Sequence, residues 1–215
     1  GAAIGLDLHN RSAAINKSLE LDPSNVESLT IAAEIAERRK DGLQAIEYYE
    51  KLVEMDRRYQ TRHLKRLITL HSDLGDIQKS LQTARALVAA APANPDSYQV
   101  FATIALNTGR YEAGVTALRT AIDYAPRDNS IRMMLAKHLA RSFKTSEALD
   151  LYWDALAIEG DMVRCINLIS DMAPLYQRRG ETAQFFRRLA RPVRDAKDPS
   201  KHMRLAATFS QKIGD

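Results

Sequence analysis

The sequence predicts an all-α chain of stacked antiparallel helix pairs, and three observations carry that reading. Alanine is abundant and aromatics make up only 7% of the 215 residues, which favours helix over sheet. Apolar residues recur at i, i+4 and i+7 along most of the chain, the spacing of one helical face. The whole pattern returns with a period of about 34 residues.

The units follow in order. The stretch 1–22 is a partial leading repeat, in which Asn10 to Asp22 reads as the second helix of a preceding pair. In 23–57 a first helix carries Leu29, Ala32, Ala33 and Ala36. The turn Lys40-Asp41-Gly42 follows, then a second helix with Ala45, Ile46, Tyr49 and Leu52. The unit 58–92 is less regular: Ile68, His71 and Ala84 depart from the pattern, while the turn Leu74-Gly75-Asp76 and then Ser80, Leu81 and Leu87 keep it. The unit 93–126 is the most regular: Tyr98, Phe101, Ala102 and Ala105, the turn Thr108-Gly109-Arg110, then Gly114, Val115, Leu118 and Ala121. In 127–160, Leu135, Ala136 and Leu139 precede the glycine-free turn Phe143-Lys144-Thr145-Ser146, where Thr145 or Ser146 is expected to cap the next helix. Ala148, Leu149, Tyr152 and Ala155 complete it. The unit 161–198 diverges. Pro174 falls inside its first helix and Gly180 comes late, so a kinked or lengthened helix is expected, with Thr182 at the small position and Phe186 and Leu189 after it. The last stretch, 199–215, reads as a terminal or truncated helix.

The recurring small residue, Ala45, Ser80, Gly114, Ala148 and Thr182, has a physical cause. Two short helices cannot bury both apolar stripes alone, so a small residue lets backbones approach and stacking then buries a continuous core. Glycine in the turns supplies positive φ without a Cβ clash. Pro23, Pro92 and Pro126 close units, because proline stops one helix and suits the start of the next segment.

Composition excludes several classes. With 45% hydrophobic and 27% charged residues, disorder and low complexity are poor descriptions. The single cysteine, Cys165, excludes an internal disulfide framework and a cysteine-based zinc site, and reads as a buried small hydrophobe. No apolar run reaches the ~20 residues of a membrane span. His9, His63, His71, His138 and His202 fall in no metal-ligand spacing; His63 and His71 share a helix and read as surface or interhelix packing. No glycine-rich phosphate loop follows a strand. No metal, cofactor or catalytic constellation is expected. Gly1 in the place of an initiator Met suggests a piece of a longer protein.

The helix–turn–helix with small eighth and twentieth positions, an aromatic at the twenty-fourth and proline at the thirty-second resembles the tetratricopeptide repeat family, over roughly residues 10–195. The resemblance implies a right-handed α-solenoid whose first helices line a concave groove. It places Glu34 in that groove from the first full unit, Arg62 and Lys65 from the second with Arg66 beside them, and Gln99 and Asn107 from the third. Lys137 and Arg141 come from the fourth and Arg164 and Asn167 from the fifth. The expected partner is a protein or peptide segment with acidic residues or a free carboxylate, lying across Arg62, Lys65, Lys137 and Arg141. Family members that clamp a C-terminal dicarboxylate use a Lys…Asn pair, a second Asn and a Lys…Arg pair on three successive first helices; the matching places here hold Lys65 with Thr69, then Thr103, then Met133 with Lys137, so without the asparagines that particular clamp is not expected. Three other readings stay open: self-association through the terminal helices, the repeat arm of a larger enzyme such as a glycosyltransferase, and binding of RNA or another acidic polymer by the basic runs. The net charge of +4 and the scarcity of aromatics among those runs count against nucleic acid.

Overall fold

The computed structural model describes residues 2–190 with 204 and 207, and side chains from residue 12 onward. Among them are eleven helices and no strand. They are α1 (Ala2–Leu21), α2 (Val26–Arg38), α3 (Gly42–Met55), α4 (Gln60–Asp73), α5 (Ile77–Ala90), α6 (Pro95–Asn107), α7 (Tyr111–Tyr124), α8 (Asn129–Arg141), α9 (Thr145–Ile158), α10 (Met162–Arg178) and α11 (Thr182–Ala190). The fold is an all-α helical repeat. Its helices divide between two compact units, residues 1–121 and 122–215. Of the terminal helix expected over 199–215, residues 204 and 207 are described and are helical; the rest lies outside the described residues, as does any association through it.

Each first helix ends in the same way. Lys40, Gly75, Gly109, Phe143 and Gly180 all adopt positive φ, from 60° to 76°. The next amide then bonds back five residues, closing a six-residue turn: Asp41 to Ala36, Asp76 to His71, Arg110 to Ala105, Lys144 to Leu139 and Glu181 to Tyr176, all at 2.8–3.0 Å. This pairing satisfies carbonyls that the helix end leaves open. The first turn corrects the sequence reading, because Lys40 and not Gly42 takes the left-handed position; Gly42 is the first residue of α3. The fourth turn corrects it too. Phe143 holds the left-handed place and is 88% exposed, and Lys144 is the N-cap of α9, with no side-chain cap from Thr145 or Ser146. Elsewhere caps follow the sequence chemistry: Asn25, Asp41, Asp76, Asn94, Asp128 and Asp161 each accept from an amide of the following turn.

The small position sits where helices cross. Ala45, Ser80 and Ala148 are fully buried, and Gly114 is buried beside them in the repeat pattern. A Cβ on Gly114 would lie 2.5 Å from Leu106 Cγ and 3.2 Å from the Ala102 carbonyl, so α7 approaches α6 more closely than an alanine would allow. Ser80 meets the cost of a buried hydroxyl through Ser72 Oγ at 2.8 Å and the Ile68 carbonyl at 3.3 Å.

The last pair departs in register. α10 has 17 residues with Pro174 inside it, so the lengthened helix is the form taken. Its turn residue, Gly180, comes 37 residues after Phe143, against 34 between Gly109 and Phe143. The buried place equivalent to Ala148 therefore falls on Phe185 and not near Thr182, which opens α11 half-buried. Phe185 stacks on Tyr176 at 4.9 Å and lies 6.1 Å from Trp153, whose indole donates to the Tyr176 hydroxyl at 3.0 Å. An aromatic cluster replaces the tight crossing of the earlier pairs. Cys165 is fully buried in α10.

Candidate interaction face

Charged side chains on the first helices meet across successive repeats. In the first unit, Arg66 of α4 pairs with Glu37 of α2, and Lys65 of α4 pairs with Asp96 of α6 at 3.8 Å. In the second unit, Lys137 of α8 pairs with Asp171 of α10 at 3.3 Å. Each bond joins the first helix of one pair to the first helix of the next, as helical spacing on neighbouring parallel rows requires.

These cations are not equivalent. Arg66 reaches Glu37, itself half-buried, and also interacts electrostatically with the phenol of Tyr49, which is 5% exposed. The Glu37 hydrogen bond, followed by the interaction with Tyr49, holds the guanidinium charge more firmly than in water. Burial raises the Tyr49 phenol above its ordinary value, with Arg66 opposing. Arg66 is thus tied into the α2–α3–α4 junction. Beside it, Glu37, Arg38, Lys40, Thr69, Asp73 and Leu74 line a cavity of about 540 Å³ at the turn end of α2 and α4. Lys65 and Lys137 make looser pairs, at 3.8 and 3.3 Å, although Arg66, like them, keeps about half of its side chain in solvent.

The remaining expected residues fall on exposed or half-exposed positions of the first helices: Glu34 on α2, Arg62 on α4, Gln99 and Asn107 on α6, Arg141 on α8, and Arg164 and Asn167 on α10. Among the described residues, Arg62 and Arg141 have no carboxylate within 4 Å. Within each unit the structure therefore brings together paired and unpaired cations, Arg62 with Lys65 in the first and Lys137 with Arg141 in the second. The sequence reading missed the role of Tyr49 as an anchor for Arg66. The signal for it was present, since Tyr49 is the large residue of the second helix packed under the next first helix.

Among the described residues no cluster of three or more His, Cys, Asp or Glu is placed to hold a metal ion. No helix among them is long and apolar enough to cross a membrane.

Residues 100–161 match the tetratricopeptide repeat family. No curated protein sequence matches the chain. Among solved structures the chain is similar to the MamA protein (TM-score 0.62, 14% identity, 88% of this chain and 93% of that one). It is also similar to YrrB, described as a TPR protein with an unusual peptide-binding site (TM-score 0.60, 13% identity, 94% and 99%). PilF of Pseudomonas aeruginosa aligns at a TM-score of 0.55 and 16% identity, over 96% and 92%. At these identities the likeness is one of fold.

Proposed function

We propose that this chain of tetratricopeptide repeats is a protein-interaction scaffold that binds a carboxylate-bearing peptide or partner segment on its first-helix face, without catalysing a reaction. The observation that supports this is the pairing on that face. Every first-helix ion pair named above sets a cation of one first helix against a carboxylate of a neighbouring first helix, so the face already carries groups that hold carboxylates. An exposed pair of this kind contributes only about 0–1 kcal/mol. Lys65 and Lys137 can therefore exchange an intramolecular carboxylate for one from a partner at little cost. Arg62 and Arg141 need give up nothing. Arg66 is the exception; its partners are part of the fold.

The test uses amidated acidic peptides and the same peptides with a free C-terminal carboxylate, labelled and titrated by fluorescence anisotropy. Charge reversal at Arg62 and Lys65, and separately at Lys137 and Arg141, is expected to weaken binding by about 5–10-fold per pair. Affinity unchanged in both double variants would overturn the assignment of this face while leaving the fold intact.

A further inference from the structure

A second groove lies on the other side of the first unit, among the second helices. It is a cavity of about 380 Å³ walled by α3 and α5 and floored by α4. One wall presents Glu50 and Glu54, a helical turn apart, and neither has a cation within 4 Å among the described residues. Between wall and floor run the apolar surfaces of Val53, Leu64 and Leu67. His71 also lines the cavity. It is 3% exposed, yet among the described residues its ring nitrogens meet no hydrogen-bond partner. Lys79, on the facing wall, is turned to Asp76 at 3.8 Å.

Three unmet requirements coincide here. Among the described residues two carboxylates lack a cation, the His71 ring lacks a hydrogen-bond partner, and an apolar strip suits methylene groups. One kind of group meets all three. We propose that this groove docks an arginine or lysine side chain of a protein partner, its aliphatic stem on Val53, Leu64 and Leu67 and its cationic head donating to Glu50, Glu54 and His71. Arginine suits it better, having five donors in a fixed fork. The surface is separate from the first-helix face and selects the opposite charge.

His71 must be neutral to accept. Burial lowers its proton affinity, and Lys79 lowers it further; Asp76 and Glu50 act against them. The charged groups facing it are Glu50 and Glu54 from α3 and Asp76 and Lys79 from the cap and first turn of α5. A bound cation depresses His71 further, so by reciprocity protonating His71 weakens binding.

The experiment titrates the whole chain, histidine-labelled for NMR, with the peptide Ac-Leu-Arg-Leu-Arg-NH2 and with Ac-Leu-Glu-Leu-Glu-NH2. His71→Gln identifies the imidazole signal. The basic peptide is expected to shift that signal saturably at pH 7.5 and the acidic one to leave it in place. Glu50→Gln with Glu54→Gln, both exposed and compatible with folding, should weaken binding about fivefold or more. Acidification to pH 5.5 should weaken it as well. No saturable shift, an equal shift from the acidic peptide, or an affinity indifferent to the two glutamines would each overturn the proposal.

Discussion

Two successive grooves in the first unit are built from the same positions one repeat apart, and they differ in almost every chemical respect. Where α3 offers Glu50, Val53 and Glu54, α5 offers Arg85, Val88 and Ala89. Where the first floor has Leu64 and Leu67, the second has Tyr98 and Phe101. The far wall changes from Lys79, Gln82 and Thr83 to Ala113, Thr116 and Ala117. His71 becomes Ala105, fully buried. The repeat thus fixes where a groove stands and leaves its lining open. The first is polar with unpaired acids; the second is apolar and larger, at about 600 Å³.

The strongest way to break this equivalence is at the crossing beneath the second groove. Gly114→Ala forces a Cβ toward Leu106 Cγ and the Ala102 carbonyl. The substitution is expected to cost about 1–3 kcal/mol in denaturant unfolding, although alanine at the same place in α3 and α9 is native. A loss below a few tenths would mean that α6 and α7 relax freely.

A smaller effect follows from His71→Ala, which copies Ala105 into the first groove. Packing loss is expected to cost about 1–2 kcal/mol at pH 7. Its sharper readout is pH. Burial sets His71 and His138 below their ordinary value, with Lys79 adding to the effect on the first and Arg141 on the second. The unfolded chain takes up these protons near pH 6.5, the folded chain only at lower pH. Stability is therefore unaffected by these groups above that range and falls as pH drops through about 6.5 toward the folded values. Removing His71 should flatten part of that decline, which unfolding midpoints between pH 7.5 and 5.5 would measure. An unchanged slope would show that His71 charges as easily in the fold as out of it.

The smallest effect carries the comparison to the turns. Phe143→Gly places in the fourth turn what Gly75 and Gly109 supply in the second and third. Relief of the left-handed conformation is expected to stabilise the chain by about 1 kcal/mol. Thermal unfolding of the variant beside Gly109→Ala, which should lose about as much, tests both directions.

Much of this was legible in the residues. The helix pairs, their turns and the small crossing positions could be read because each rests on local geometry repeated every 34 residues or so. The register of α11 could not. A three-residue lengthening of α10 around Pro174 moves the buried place from Thr182 to Phe185, and only packing against Trp153 and Tyr176 shows it. Lys40 and Phe143 were illegible for another reason: the bond that closes the six-residue turn at the helix end imposes the left-handed conformation whatever side chain stands there. On the first-helix face, spacing placed Lys65, Arg66 and Lys137 but could not tell a structural guanidinium from an exchangeable ammonium. That distinction depends on Tyr49, which comes from a different helix.

The aromatic cluster of the second unit also makes part of the chain visible to light. Trp153 is the single tryptophan, and it sits 8% exposed beside Phe185 with the Arg188 guanidinium 4.5 Å over its ring. Its emission reports on residues 122–215 alone, whereas helical ellipticity sums over every repeat. The molecule therefore carries its own optical gauge of whether its two units melt together or in turn.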